Sequence, residues 1–350
     1  MDTTAHVSIT CRTPTCNEIG TKSRLTAYNL RRPTGVFHVS DALPEGMPVR
    51  QPTLASPVPL LRARTSRRLA VLTFREVRDR SVFAAQLDRV LRSLTPVSVG
   101  QVQRAMSGET PLPPHSVLIT FEHGHRDVVT QALPVLAARA VPALVFAVAG
   151  LVDTDTPYWW DEAEFLVGEG GWARSLSGRA GGPVAAALAA MPDPDRRRSL
   201  AELRVTAGHR APSAPQLTTA DLHELLDAGM CVGSQGLDHA RLDRCDDYAL
   251  REEIVGGHQR LTKLTGTEIT SFAYPDDVHD LRAVSLLREL GYTTAFRNDG
   301  RLVDPYSGLP DSLCISRVRA EARTARSRLD AALSSWAPSA SRRLRGAEAV

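Results

Sequence analysis

The feature that most constrains this chain is a repetition. Between Leu69 and about residue 320, short and wholly apolar runs alternate with longer stretches whose apolar residues recur every three or four positions. "RLAVLTF", "SVLITF", "PALVFAVAG", "MCVGS", "ITSFAYP" and "YTTAFR" lack polar alternation and are short, so they read as strands buried on both faces. The text between them reads as helices. "SVFAAQLDRVLRSL" sets Phe83, Leu87, Val90, Leu91 and Leu94 on one face; "RDVVTQALPVLAARA" and "LRAVSLLRELG" are helices too, and "TADLHELLDAG" closes at Gly229. "DDYALREEIVGGHQRLTKLTG" predicts a helix with Leu250, Ile254, Leu261 and Leu264 inward, despite Gly256 and Gly257. Repeated strand–helix units with apolar strands predict an α/β fold: a parallel sheet covered on both faces, or a barrel.

The flanks differ. Residues 1–68 scatter Pro14, Pro33, Pro44, Pro48, Pro52, Pro57 and Pro59 among basic clusters without periodicity, which predicts an extended or partly disordered leader. An insert over residues 154–216 interrupts the strand–helix repeat, and residues 321–350 read as a surface helix and tail. The net charge of +3 comes almost wholly from arginine, Lys22 and Lys263 being the two lysines, and the bases are interspersed with acids. That pattern gives no reason to expect nucleic acid as a partner. Five cysteines are an odd set for a disulfide framework and fit reduced thiols. Cys11 and Cys16 lack a second Cys/His pair nearby for a zinc ribbon. The first 20 residues do not resemble a secretory signal and no apolar run reaches 18 residues, so the expectation is a cytoplasmic protein without a membrane partner.

In a parallel α/β fold, functional groups gather where loops leave the C-terminal ends of the strands. Three polar clusters fall at such ends: "TFEHGH" (Thr120 to His125), "GSQGLDH" (Gly233 to His239) and "AYPDD" (Ala273 to Asp277). In this order and spacing, and with "LPPHSVLITF", "ALPVLAARAVPALVFAVAG", "WWDE", "DLHELLDAGMCVGS" and "LLRELGYTTAF" around them, they resemble the polysaccharide deacetylase (NodB-homology, carbohydrate esterase family four) proteins over about residues 69–320. The resemblance implies a distorted (β/α)7 barrel and an amide hydrolase that removes acetyl groups from N-acetylated sugars with one divalent metal, usually zinc.

Carried over residue by residue, the resemblance makes Glu122 the general base in place of an aspartate. It makes His123, Gln235 and His239 the metal positions, with His125 or Asp238 as rescuing ligands. Tyr274 and Asp276 fall in the segment that supplies oxyanion donors, and Trp159 and Trp160 in a substrate groove. The departures are chemical. Glu122 is one methylene longer than an aspartate, and misplacement by about 1 Å can cost on the order of a hundredfold in rate. His123 is a donor zinc accepts, whereas the amide of Gln235 is a poor one. Phe74-Arg75 stands where many members carry Tyr-His, and Arg317 lies near a missing late Leu-x-His.

Three readings follow: a rebuilt metal site with Glu122 as base toward bound water, a pseudoenzyme that binds a glycan-like or other ligand in the old groove, and metal-free acid–base work by Glu122 with a histidine. Beside them stand structural roles: His239 as a turn cap, His125 in packing, Asp276 and Asp277 starting a turn, and the two tryptophans as core or as a sugar-stacking platform. The expected substrate is a small intracellular N-acylated, amino-sugar-like molecule.

Overall fold

The computed structural model describes residues 68–177, 183–301, 303 and 311–320. The expected leader over residues 1–68, apart from Arg68, and the expected tail over residues 321–350 lie outside the described residues. The apolar runs are strands: β1 (Leu69–Phe74), β3 (Ser116–Phe121), β4 (Ala143–Ala147), β5 (Cys231–Ser234), β6 (Ser271–Ala273) and β7 (Thr294–Arg297). A two-residue strand β2 (Thr95–Pro96) adds to β3. Two more, β8 (Ile315–Ser316) and β9 (Val318–Arg319), have no counterpart in the sequence reading.

All pairings between these strands are parallel, in the order β8-β7-β6-β5-β4-β3-β1-β9. Because only Arg317 separates β8 from β9, one segment is hydrogen-bonded to both edges of the sheet. The Arg317 N–H donates to Arg297 O at 2.7 Å, and the Ala320 N–H donates to Thr73 O at 2.8 Å. The result is a nearly closed α/β barrel, as the resemblance implied.

Alternation along the strands divides the core. Leu69, Val71, Leu118, Phe146, Ala273 and Phe296 belong to one buried cluster. Ala70, Leu72, Ile119, Phe121 and Val145 join the helices in another. The helices are α1 (Arg80–Leu91), α2 (Val99–Met106), α3 (Leu133–Ala137) and, after the insert, α7 (Thr219–Asp227), α8 (Asp247–Arg251), α9 (Gly257–Thr265) and α10 (Leu281–Glu289); of these α2 packs on the first cluster through Val99, Val102 and Ala105, and the others on the second. Local chemistry sets several starts: Asp79 caps α1, and capping boxes open α2 (Ser98 with Gln101) and α7 (Thr218 with Asp221). The insert contributes α4 (Trp159–Gly168), α5 (Val184–Ala189) and α6 (Asp193–Thr206) around Ala163, Leu166, Leu188 and Leu203.

Two helices differ from the simple reading. In "RDVVTQALPVLAARA" a π-helical turn, Val128–Ala132, precedes α3. Pro134 has no N–H for the Thr130 carbonyl, and Arg80 Nη2 fills that acceptor at 2.6 Å. Between α8 and α9 a second π-helical turn, Glu252–Gly256, turns Glu253 into the core. Gly257 is required there, since a Cβ would lie 2.8 Å from the carbonyl carbon of Gly236. Among the described residues, no helix is long and apolar enough to cross a membrane.

Candidate functional site

The loops after β1, β3, β5 and β6 meet over one cavity of about 430 Å³. Its lining includes Arg75, Glu122, His123, Gln235, His239 and Asp276, with Trp159 and Trp160 from the insert. Each of the three sequence clusters contributes non-glycine residues with left-handed backbone: His123 (φ 67), His239 (φ 55), Asp276 (φ 51) and Asp277 (φ 63). Such conformations cost about 1–3 kcal/mol each and persist where the surroundings impose them.

Glu122 extends the ladder, its N–H donating to Phe74 O at 2.9 Å. Its Oε1 accepts from Arg317 Nη2 at 2.8 Å and from Asn298 Nδ2 at 2.6 Å. Burial pushes this carboxyl up, but the Arg317 guanidinium and the Asn298 amide outweigh it, and the net shift is downward. Asn298 Nδ2 also donates to Asp277 Oδ1 at 2.8 Å, and Asp277 Oδ2 accepts from Arg319 at 3.0 Å. Arg317 is fully buried and lies over the Phe146 ring, 5.2 Å from its centroid. In this carboxylate half each acid is paired with a cation, while Asn298 Oδ1 and Arg317 Nε and Nη1 have no bonded partner among the described residues.

The His123 and His239 rings lie 4.8 Å apart, and Trp160 covers both at 5.0 and 4.8 Å. Trp160 stacks on Tyr158, whose hydroxyl donates to His123 O at 3.1 Å; Trp159 Nε1 donates to His239 O at 3.3 Å. His123 Nδ1 and both nitrogens of His239 are buried without a hydrogen-bond partner. Burial lowers the pKa of both, that of His239 to about 3 against the pull of Glu122, so both rings are neutral.

Other expected site residues have contacts within the protein. Gln235 Oε1 accepts from the His123 N–H at 2.8 Å. Tyr274 has neither donor free, since its hydroxyl donates to Leu313 O at 2.8 Å and its N–H to Phe296 O at 3.0 Å. Asp238 does not rescue the site; it is paired with Arg197 at 3.2 Å. His125 packs its ring on Tyr158 at 4.7 Å, with its own pKa lowered by burial to about 4. Among the described residues, no group of three or more His, Cys, Asp or Glu side chains is placed to hold a metal. Of the three expected ligand positions only His123 and His239 carry strong donors, and the third holds the amide of Gln235, so the donor set does not fit a metal centre of the kind the resemblance implied.

Asn298 is absent from the sequence-derived set, although its place after β7 obeys the same strand-end rule. Glu253 is also absent. Fully buried, it accepts from the N–H groups of Asp238 at 3.1 Å and Ala240 at 3.0 Å, fixing the loop that carries His239. Gly236 (φ 87) packs so closely on Glu253 that a Cβ would lie 2.1 Å from its carboxylate.

A parallel barrel with a polar site at the strand ends defines a class of α/β barrel proteins acting at one rim. Residues 109–295 match the sequence profile of the polysaccharide deacetylase family, and the chain belongs to that family. It is similar over 59 residues, at 39% identity, to the poly-β-1,6-N-acetyl-D-glucosamine N-deacetylase of Escherichia coli K12. That stretch is 17% of this chain and 9% of the relative's length. IcaB from Ammonifex degensii superposes with a TM-score of 0.52 at 20% identity, covering 77% of this chain and 97% of IcaB. The Streptococcus pyogenes deacetylase PplD does so at 0.52 and 15%, covering 76% and 97%. At these identities the likeness establishes the fold.

Proposed function

We propose that this chain is a non-catalytic member of its family that binds an amino-sugar residue of a glycan in the old active-site groove. The observation that carries this is the commitment of the two groups that hydrolysis needs beside the imidazoles. Gln235 is spent on the His123 backbone, and Glu122 is held between Arg317 and Asn298. A carboxylate so stabilised is a weak base. What remains suits recognition: an indole wall for the apolar face of a sugar, and neutral imidazoles able to donate and accept hydrogen bonds to its polar groups. The Escherichia coli relative acts, by its name, on poly-β-1,6-N-acetyl-D-glucosamine, and oligomers of that sugar are the first probes.

Titration calorimetry of the full chain with such oligomers should give saturable binding, weakened about tenfold or more in Trp160→Ala, with no acetate released. A second reading is favoured by the unbonded nitrogens of His123 and His239: an amide hydrolase with a non-standard metal site. Acetate release that follows added zinc and vanishes in His239→Ala would replace the binding reading with that one.

A further inference from the structure

Most charged side chains at the cavity are matched. Glu122 is paired with Arg317, Asp277 with Arg319, and Arg241 with Asp243. Two are not. Arg75, in the loop after β1, places its guanidinium 6.0 Å from the centroid of the Trp160 ring and makes no hydrogen bond or ion pair among the described residues. Asp276, in the loop after β6, also lines the cavity, sits in a left-handed conformation and has no bonded partner there. Nor do the two pair with each other.

One cation beside an indole and one anion in the same cavity, neither bonded among the described residues, constitute a complementary surface for a ligand of both signs. A guanidinium fork matches a carboxylate or phosphate, and a carboxylate matches an ammonium. A singly charged ligand would leave one of the two groups unanswered beside a bound sugar, and a neutral one would leave both. We propose that the groove selects a zwitterionic amino sugar, one with a free amine for Asp276 and an acid group for Arg75. This rests on the binding reading above and narrows it.

The test measures affinities of the full chain, at low ionic strength, for four probes: muramic acid (amine and carboxylate), N-acetylmuramic acid (carboxylate only), glucosamine (amine only) and N-acetylglucosamine (neither). Muramic acid should bind about tenfold or more tightly than each singly charged probe. Arg75→Gln should erase the advantage conferred by the carboxylate, and Asp276→Asn the advantage conferred by the amine, each leaving the other intact. Since neither side chain bonds to another described residue, both variants should melt with the wild type, which separates recognition from folding. Equal affinity for muramic acid and N-acetylglucosamine, with both weakened by Trp160→Ala, overturns the charge inference while the binding reading survives. No binding of any probe overturns both.

Discussion

The two halves of the site answer the same problem, polar groups out of water, in opposite ways. Glu122 and Asp277 are held by Asn298, Arg317 and Arg319, although Asn298 Oδ1 and Arg317 Nε and Nη1 are buried without a bonded partner among the described residues. A few ångströms away, His123 and His239 face each other with three unbonded nitrogens. Buried polar atoms normally find partners, and those that do not call for a reason. The difference teaches that the carboxylate half is held by ion pairs, each acid tied to a cation, whereas the imidazole half is held by ring packing around three nitrogens without a bond.

The largest effect should come from breaking the ion pair of the carboxylate half. Arg317→Ala strands Glu122 without its cation, and unfolding in denaturant should show a loss of about 3–5 kcal/mol. Replacing both partners, as Glu122→Leu with Arg317→Met, should cost less than Arg317→Ala alone, since an apolar pair needs no compensation. Equal costs would mean that the pair is not a unit. His239→Ala should cost less, about 1–2 kcal/mol, because it removes packing and no bond to its ring. The melting temperature should stay within about 1 °C on adding zinc or a chelator; a clear zinc-dependent rise would show that the imidazole half is a metal site after all.

A further effect, spread over a range of pH, concerns the support beneath that half. Burial raises Glu253 from 4.5 to about 7, with Asp238 adding to the rise and Arg196 and the two backbone N–H groups opposing it. A carboxyl whose pKa is higher folded than unfolded contributes stability in full below the unfolded value, and this is lost as pH rises through the folded one. Between pH 4.5 and 8 the wild type should therefore lose up to about 3 kcal/mol that Glu253→Gln does not. Denaturant midpoints across that range would measure it.

The scaffold was legible because burial on both faces leaves strands such as "SVLITF" without the charged or alternating polar residues of a solvated face, its Ser116 and Thr120 hydroxyls bonding to backbone carbonyls. Charge networks leave no such trace. Gln235 matches a ligand position in sequence, yet its direction is decided by the His123 N–H, a contact across 112 positions. Arg317 stood out as a departure from the family pattern, but nothing local says that its partner is Glu122. The seam formed by β8 and β9 was missed because two-residue strands are defined by their neighbours and carry no period of their own. The π-helical turn at Glu252–Gly256 was hidden inside an unbroken helical pattern that a single register shift does not disturb.

That seam has a consequence in time. Arg317 meets Glu122 across 195 positions of chain, and the same short segment joins the two edges of the sheet. During synthesis, β1 and β7 must wait as open edges until residues 315–319 leave the ribosome, and contacts so distant in sequence form slowly. The site is thus completed in the same event that seals the barrel, and a nascent chain stopped short of Ile315 has neither a closed sheet nor a neutralised Glu122. Exposed parallel edges invite pairing with other chains, so for this protein the last few strand residues to emerge decide both whether it can recognise a ligand and whether it escapes aggregation.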